Sequence, residues 1–491
     1  MVICRKCHPS PDADTPTTRQ ATQRRRLMAI SAAYSRKPHA LCGVEYTRIL
    51  LPFVFSTMTQ PLLSAVDTAV MGRLSDPSYI AGVAVGAVIF NTIYWLLGFL
   101  RVGSTGFSAQ ASVEGGEEAL YKALLLPGVM ALGLSLVILL LQWPIFEGAM
   151  LLIHLDAPSR AVASTYYFIL VWGAPLVLLN YVILGWLMGL SRIRATLFMQ
   201  VGSNVLNMLL DFLFVSVFGW GVEGVAAATL IALFFAFIVG GVSLRHVLFS
   251  SPTGLRAMWR TAFNLLDMWR IAKVNGHLFL RTVCMLAQTN IFMATASGFG
   301  TVTLSANAIL IQIMLIFSYV FEGIANASSL FAGRASGTGN PELMEDTRRM
   351  TLRWTIGSAA FMTLAYGLWQ TPVLSLFTDL PDVLAEASRY APWGLAFPLL
   401  AGVGLTYYGM FTGSSFTRPV FISTLQALLA FIAVWAVAVP SFGNDGLWLA
   451  YLVFYLGRSA FLARHMAGLS QARPFPQRIS LERTDCPSIN N

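Results

Sequence analysis

The chain has 491 residues, of which 56% are hydrophobic and only 11% charged. Soluble domains carry roughly 25% charged residues, so this chain has too little charge to coat a globule of its length, and a water-soluble enzyme or binding domain is excluded. Its net charge of +9 is spread over loops and tails, which suits loops beside anionic lipid and not a nucleic-acid surface.

Residues 1–45 are polar, rich in Pro, Thr and Arg, and without hydrophobic periodicity, which predicts a disordered basic tail. The tail holds Cys4-Arg5-Lys6-Cys7-His8, a match to the pattern of c-type haem attachment. The competing reading is a chance match. The other cysteines, Cys42, Cys284 and Cys486, form no even disulfide framework with these two.

From residue 46 onward, apolar runs long enough to cross a bilayer follow one another, about 20 residues being needed per helix. They fall near 46–73, 79–112, 119–143, 160–190, 193–218 and 222–247. A basic, less apolar linker occupies 248–268. Six more runs follow near 269–296, 302–335, 346–372, 382–414, 417–440 and 443–466, and a polar tail, 467–491, ends the chain. The predicted fold is an all-α membrane protein of twelve transmembrane helices: an N-terminal lobe at 46–247 and a C-terminal lobe at 269–466.

Charge sets the expected orientation. Connections after even-numbered spans, with their flanks, hold Lys122, Arg192, Arg194, Arg245, Arg270, Lys273, Arg348, Arg349 and Arg418 among others, whereas those after odd-numbered spans hold only Arg73, Arg160 and Arg389. The positive-inside rule then places both termini in the cytoplasm and the chain in the inner membrane of the cell.

The sequence also repeats weakly. At a shift of 223, Asp67-Thr68-Ala69-Val70-Met71 falls on Asn290-Ile291-Phe292-Met293-Ala294; at 224, Met188-Gly189 falls on Thr412-Gly413. Two six-span halves of the same orientation make a parallel repeat about an axis along the membrane normal. The repeat fails informatively: Asp67 faces Asn290, and Asp211 faces Trp435. The acidic pair, Asp67 and Asp211, belongs to the N-terminal lobe alone.

An ionisable group within a span is by default a candidate functional site. Asp67 lies about six residues from the outer end of span 1, roughly 9 Å at 1.5 Å per residue. Asp211 in span 5 and Thr229 in span 6 share that level, and Asn207 sits one turn deeper than Asp211 on the same helix face. Asn180 in span 4 is deeper still, and Tyr166 or Tyr167 lies nearer the outer rim. Two carboxylates, an amide and a hydroxyl offer hard oxygen ligands to Na+ at Asp67 and Asp211, or a shared proton site. The competing reading is hydrogen bonding between helices. In the other lobe, Arg281 and Glu322 fall at similar depth and predict an ion pair. Arg101 stands at the inner part of span 2, and Arg458 is expected to snorkel toward the cytoplasm.

Several motifs together resemble the multidrug and toxic compound extrusion family, most closely its DNA-damage-inducible protein F branch, over residues 46–466. They are Val66-Asp67-Thr68-Ala69-Val70-Met71-Gly72, Gly82-Val83-Ala84-Val85-Gly86-Ala87, Phe99-Leu100-Arg101 with Thr105-Gly106, Gly185-Trp186-Leu187-Met188-Gly189, Asn204-Val205-Leu206-Asn207 with Leu210-Asp211, and Gly224-Val225-Ala226-Ala227-Ala228-Thr229. The resemblance implies two six-helix lobes alternating between outward-open and inward-open forms. It also implies export of amphipathic or cationic small molecules in exchange for H+ or Na+, without a cofactor or enzymatic step, by a monomer in the lipid bilayer. The family's cation site maps onto Asp67, Asn207, Asp211 and Thr229, with Tyr166 and Asn180 beside it. Two departures stand out. The family's Asp-Gly-Met-Phe in span 10 reads Tyr408-Gly409-Met410-Phe411, and Ser329 stands where relatives carry a glutamate. Arg101, Arg281 and Glu322 are left as substrate-cavity or ion-pair candidates. The alternatives are a lipid-linked oligosaccharide flippase of the same superfamily, expected to have a more cationic cavity, and a membrane redox protein using Cys4, Cys7 and His8.

Overall fold

The computed structural model describes residues 41–71, 77–114, 117–153, 156–248 and 265–471. The Cys4-Cys7-His8 motif, most of the 248–268 linker and most of the C-terminal tail lie outside the described residues, as do the side chains of residues 62–71, Asp67 among them.

Among the described residues every regular element is helical. The N-terminal half contains α1 (Gly43–Met71), α2 (Pro77–Leu97), α3 (Phe99–Glu114), α4 (Glu117–Leu140), α5 (Gln142–Leu152), α6 (Ala157–Leu170), α7 (Ala174–Gly189), α8 (Ile193–Asp211) and α9 (Gly221–Leu248). The C-terminal half contains α10 (Leu265–Ser297), α11 (Thr301–Thr338), α12 (Pro341–Leu368), α13 (Gln370–Ser375), α14 (Pro381–Gly413), α15 (Arg418–Phe442) and α16 (Asn444–Ala463). Ten helical stretches are long and apolar enough to cross a membrane. Helices α1 and α12 are not among them. In α12 the reason is visible: its first turns carry Glu342, Glu345, Asp346, Arg348, Arg349 and Arg353. Farther along, α12 exposes Phe361, Leu364 and Leu368, just as α4 exposes Leu132, Leu136 and Leu140. Apolar stripes at three- and four-residue spacing on the outside of a bundle are surfaces for lipid.

Several predicted spans are broken helices. The run at 79–112 is α2 and α3, separated by a turn at Gly98. The run at 160–190 is α6 and α7, joined by a 3-10 turn, Val171–Gly173, directly before Pro175. A proline withdraws one N–H and its ring opposes the preceding turn, so a tighter turn ahead of it is expected. Helix α8 passes at Asp211 into a π-helical segment, Phe212–Val217. In contrast, α11 ends sharply. Gly339 takes the left-handed conformation at φ 64°, and Asn340 caps α12 by accepting from the Glu342 and Leu343 N–H groups at 2.9 and 3.1 Å.

The helix neighbours repeat between halves. Helix α1 packs on α8, α3 on α7, and α8 on α9; correspondingly α10 packs on α15, α11 on α14, and α15 on α16. The halves meet mainly through α11, which lies against both α1 and α3. Their joins gather toward the end of the bundle where α11 and α14 finish. There Gln110 Nε2 donates to the Gly413 carbonyl at 2.7 Å and to Ser415 Oγ at 2.8 Å, and Arg334 donates to Ser191 Oγ at 2.7 Å. Gly106 approaches so closely that an added methyl would collide with the Thr412 carbonyl. At the same end the Leu41 N–H donates to Asp346 Oδ2 at 3.0 Å, and Met466 and Leu469 line a shallow cavity with Pro341, Met344 and Arg348. Both ends of the described chain therefore lie beside the start of α12.

Candidate functional site

Helices α1 and α8 are stitched along one seam. Ser56 Oγ donates to Gln200 Oε1 at 2.7 Å, and Asn204 Nδ2 donates to Thr59 Oγ1 at 3.1 Å. Each step adds three residues on α1 and four on α8, so the two helices run parallel. Continuing along both helices by eight and seven residues, about 12 and about 10 Å, brings Asp67 of α1 level with Asp211 of α8. Residues 200, 204, 207 and 211 recur every three to four positions, which puts them on one face.

Asp211 is only 1% exposed, and Asn207 is buried beside it. Asn207 Nδ2 donates to Asp211 Oδ2 at 2.9 Å across one helical turn. The amide thus orients the carboxylate and keeps its own carbonyl oxygen as a further acceptor. Immediately beyond, the backbone changes from α to π, with the Phe218 N–H reaching the Leu213 carbonyl at 3.0 Å. Single π-helical turns within longer helices are frequent at functional sites. The sequence holds no glycine or proline at that point to announce one.

Thr229 lies on α9, which packs against α8. Its hydroxyl donates to the Val225 carbonyl on its own helix at 3.0 Å, which leaves the oxygen lone pairs free to accept. Asn180, on α7, donates to the Leu233 carbonyl at 2.9 Å, one turn along α9 from Thr229. That bond joins two helices, as expected for a structural amide, but Asn180 Oδ1 is buried and without a hydrogen-bond partner. Tyr166 stands apart. It packs against Gly86 of α2, beyond the 3-10 turn and about 21 Å along its span from Asn180.

The arginines differ from expectation. Glu322 of α11 pairs with Arg101 of α3, not with Arg281. Sequence depth could not decide this, because both arginines lie at a similar level and only the approach of α3 to α11 selects one. The pair joins the two halves, and its side chains are 20% and 35% exposed. Arg281 instead lies over the Tyr408 ring, with 4.4 Å between its guanidinium carbon and the ring centroid. Arg458 does not snorkel to the surface. It is 4% exposed and sits against Phe454 and Tyr455, whose ring centroids are 5.8 and 5.5 Å away. The signal was in the sequence: Phe454, Tyr455 and Arg458 fall at three- and four-residue spacing, which makes a local cation–π cradle. In the C-terminal half the position matching Asp211 is Trp435, and its indole N–H donates to Thr295 Oγ1 of α10 at 2.9 Å. A neutral bond thus occupies the seam where the first half carries a carboxylate.

A family model described as MatE matches the chain twice, over residues 52–213 and 278–436, with the two matches ending 223 residues apart. The DNA damage-inducible protein F of Escherichia coli (strain K12) is 32% identical over 424 residues, covering 84% of this chain and 90% of that protein. Protein DETOXIFICATION 44, chloroplastic, of Arabidopsis thaliana is 26% identical over 482 residues, 91% of this chain and 88% of the relative. Among solved structures, a multidrug resistance MATE family transporter in an outward-facing conformation superposes with a TM-score of 0.74 at 19% identity, covering 87% of this chain and 96% of the other. A mutant of the Vibrio cholerae MATE transporter VcmN gives 0.78 at 16% identity, covering 88% and 97%.

Proposed function

The chain belongs to the MatE family, a family of transporters and not of enzymes, and from that premise we propose that it is a cation-coupled antiporter exporting amphipathic small molecules by alternating access. Counting α1 and α12 with the ten clearly apolar stretches gives twelve spans in two lobes. The apolar outer stripe of α12 supports that count. The basic residues of even-numbered connections favour a cytoplasmic location for the end where both described chain ends lie, and an inner-membrane location for the whole. In that orientation the joined end is the cytoplasmic one, and the lobes stand closed inward.

The observation that carries the reading is the Asn207–Asp211 pair, buried in a span and level with Asp67. A carboxylate there is costly to keep charged, by roughly 2.5–3.5 kcal/mol on insertion scales. A proton or Na+ arriving from outside relieves that cost. Asp67, Asp211, the Asn207 carbonyl and the Thr229 hydroxyl supply the oxygen donors, and Asn180 Oδ1 offers one more from α7. One bound cation leaves a single negative charge shared by the two acids and lets α1 repack against α8, while the π-helical turn beyond Asp211 gives that face room to adjust. The change in packing is passed to the cavity between the lobes, and the cargo is released outward. Unloading toward the cytoplasm resets the cycle. The transporter works as a monomer, with the coupling ion as its only co-reactant.

Transport into everted membrane vesicles, with an imposed pH or Na+ gradient and a panel of amphipathic compounds, tests this. Gradient-driven uptake is expected in the wild type. Asp67→Asn and Asp211→Asn are expected to abolish it at unchanged membrane level. Undiminished gradient-driven uptake by Asp67→Asn would sink the scheme.

A further inference from the structure

Arg101 and Glu322 pair across the seam between the lobes, and Arg281 and Arg458 lie in the C-terminal half. Arg101 is neutralised by Glu322. Arg281 and Arg458 have no acidic partner within ion-pair distance among the described residues. They lie close enough for their positive charges to repel. Arg281 Nε and Arg458 Nη1 are both buried without a hydrogen-bond partner. Around Arg458 stand the phenols of Tyr408, Tyr451 and Tyr455. Tyr408 also lies within electrostatic reach of Arg101, as does Tyr181 from the opposite lobe. The cluster is therefore continuous with the interface between lobes, and Arg281, Tyr408 and Tyr181 remain partly exposed.

Two like charges are not held together inside a bilayer without compensation. Aromatic faces supply part of it, but they satisfy no N–H. The missing partner is an acceptor with two or more oxygens, because a guanidinium fork binds carboxylate, sulfonate or phosphate oxygens in pairs. The tyrosines supply apolar faces with polar edges, which suit an aromatic or hydrophobic body attached to that acid.

We propose that Arg281 and Arg458, framed by Tyr408 and Tyr455, form an anion subsite in the C-terminal lobe that takes the acidic group of an amphipathic organic anion. This rests on the exporter reading above and names the class of its cargo. The permanently charged naphthalene-2-sulfonate and a trimethyl(naphthyl)ammonium cation are matched probes, since neither is trapped passively by a pH gradient.

In proteoliposomes with a driving gradient, the wild type is expected to move the sulfonate and not the ammonium. Arg281→Gln and Arg458→Gln are each expected to lower sulfonate transport at least tenfold, and Arg458→Lys to restore part of it. The sulfonate is also expected to raise the melting temperature of the detergent-solubilised wild type and not of the two Gln variants, a binding readout independent of transport. Transport of the ammonium alone, abolished by Asp67→Asn, overturns the anion subsite and leaves the exporter intact. Failure of both probes to move in an Asp67-dependent way, with the wild-type melting temperature still raised by the sulfonate, strikes the exporter reading and leaves the subsite standing. Sulfonate binding that is lost when phosphatidylglycerol replaces phosphatidylcholine in mixed micelles assigns the arginines to a lipid headgroup and overturns a dissolved cargo.

Discussion

Asp211 depends on its neighbours at the scale of single side chains. Asn207 donates to it at 2.9 Å and so orients the carboxylate. Asn207→Ala is therefore expected to lower the rate of gradient-driven transport severalfold without abolishing it, checked by initial rates at unchanged membrane level. This pairing was legible in the sequence, because four-residue spacing on a helix face is local. The partner of Glu322 was not, because choosing between Arg101 and Arg281 requires knowing which helix crosses α11. Removing one member of the Arg101–Glu322 pair is expected to cost about 1–3 kcal/mol, read as a lower melting temperature in detergent. The swapped double variant, Arg101→Glu with Glu322→Arg, is expected to recover part of the loss. Glu345 lies outside the predicted spans. Hydrogen bonds from Arg348 and Arg349 hold the Glu345 carboxyl down to about 2 from its usual 4.5. Its stabilisation is thus complete above pH 4.5 and is lost as the pH falls toward 2. The Glu345→Gln variant is expected to melt lower than wild type at pH 7 and to converge on it through that window. The difference will be small and sensitive to salt, because Glu345 is 40% exposed.

Helices in this molecule work through their interruptions. The 3-10 turn before Pro175 and the turn at Gly98 follow residues that can be read as breakers. The π-helical segment after Asp211 begins with Phe212, Leu213 and Phe214, which carry no such sign, so the sequence predicts a straight continuation there. Its register depends on how α8 packs against α9, a tertiary matter. At the other end of the bundle, glycines let backbones touch. Gly106 on α3 meets the Thr412 carbonyl of α14, and Gln110 fastens the same two helices. Gly106→Val is expected to push α3 from α14, at a cost of about 1–3 kcal/mol. The check is a lower melting temperature together with greater accessibility, to a water-soluble thiol reagent, of a cysteine introduced at Ser415. Unchanged accessibility would mean that the joined end does not depend on this contact.

The whole molecule is a repeat whose halves have diverged in charge. The weak match at a shift of 223 and the doubled family match, ending 223 residues apart, describe one feature, and the recurring helix neighbours follow from it. Long apolar runs made the all-helical membrane architecture legible, because spans announce themselves by length and hydropathy, and ten helical stretches among the described residues meet that test. The asymmetry was half legible. That the second half lacks counterparts of Asp67 and Asp211 could be read directly, whereas the burial of Arg458 and its closeness to Arg281 depend on how α10, α14 and α16 converge. The first half thus holds a buried carboxylate, Asp211, and the second a buried guanidinium, Arg458, among aromatic rings; under the proposals above these serve the coupling cation and the cargo. Separate sites on separate lobes are compatible with exchange by alternating access, provided each occupant favours a different state. The most direct measurement follows ion movement itself. Purified protein is placed in liposomes with a pH-sensitive dye inside and Na+ present or absent, and cargo is added on one side. A cargo-induced counterflow of H+ or Na+ is expected in the wild type and is expected to vanish in Asp67→Asn and Asp211→Asn, while Arg458→Gln keeps ion binding and loses the response to an anionic cargo. Counterflow of normal size in Asp211→Asn would contradict coupling through the first lobe.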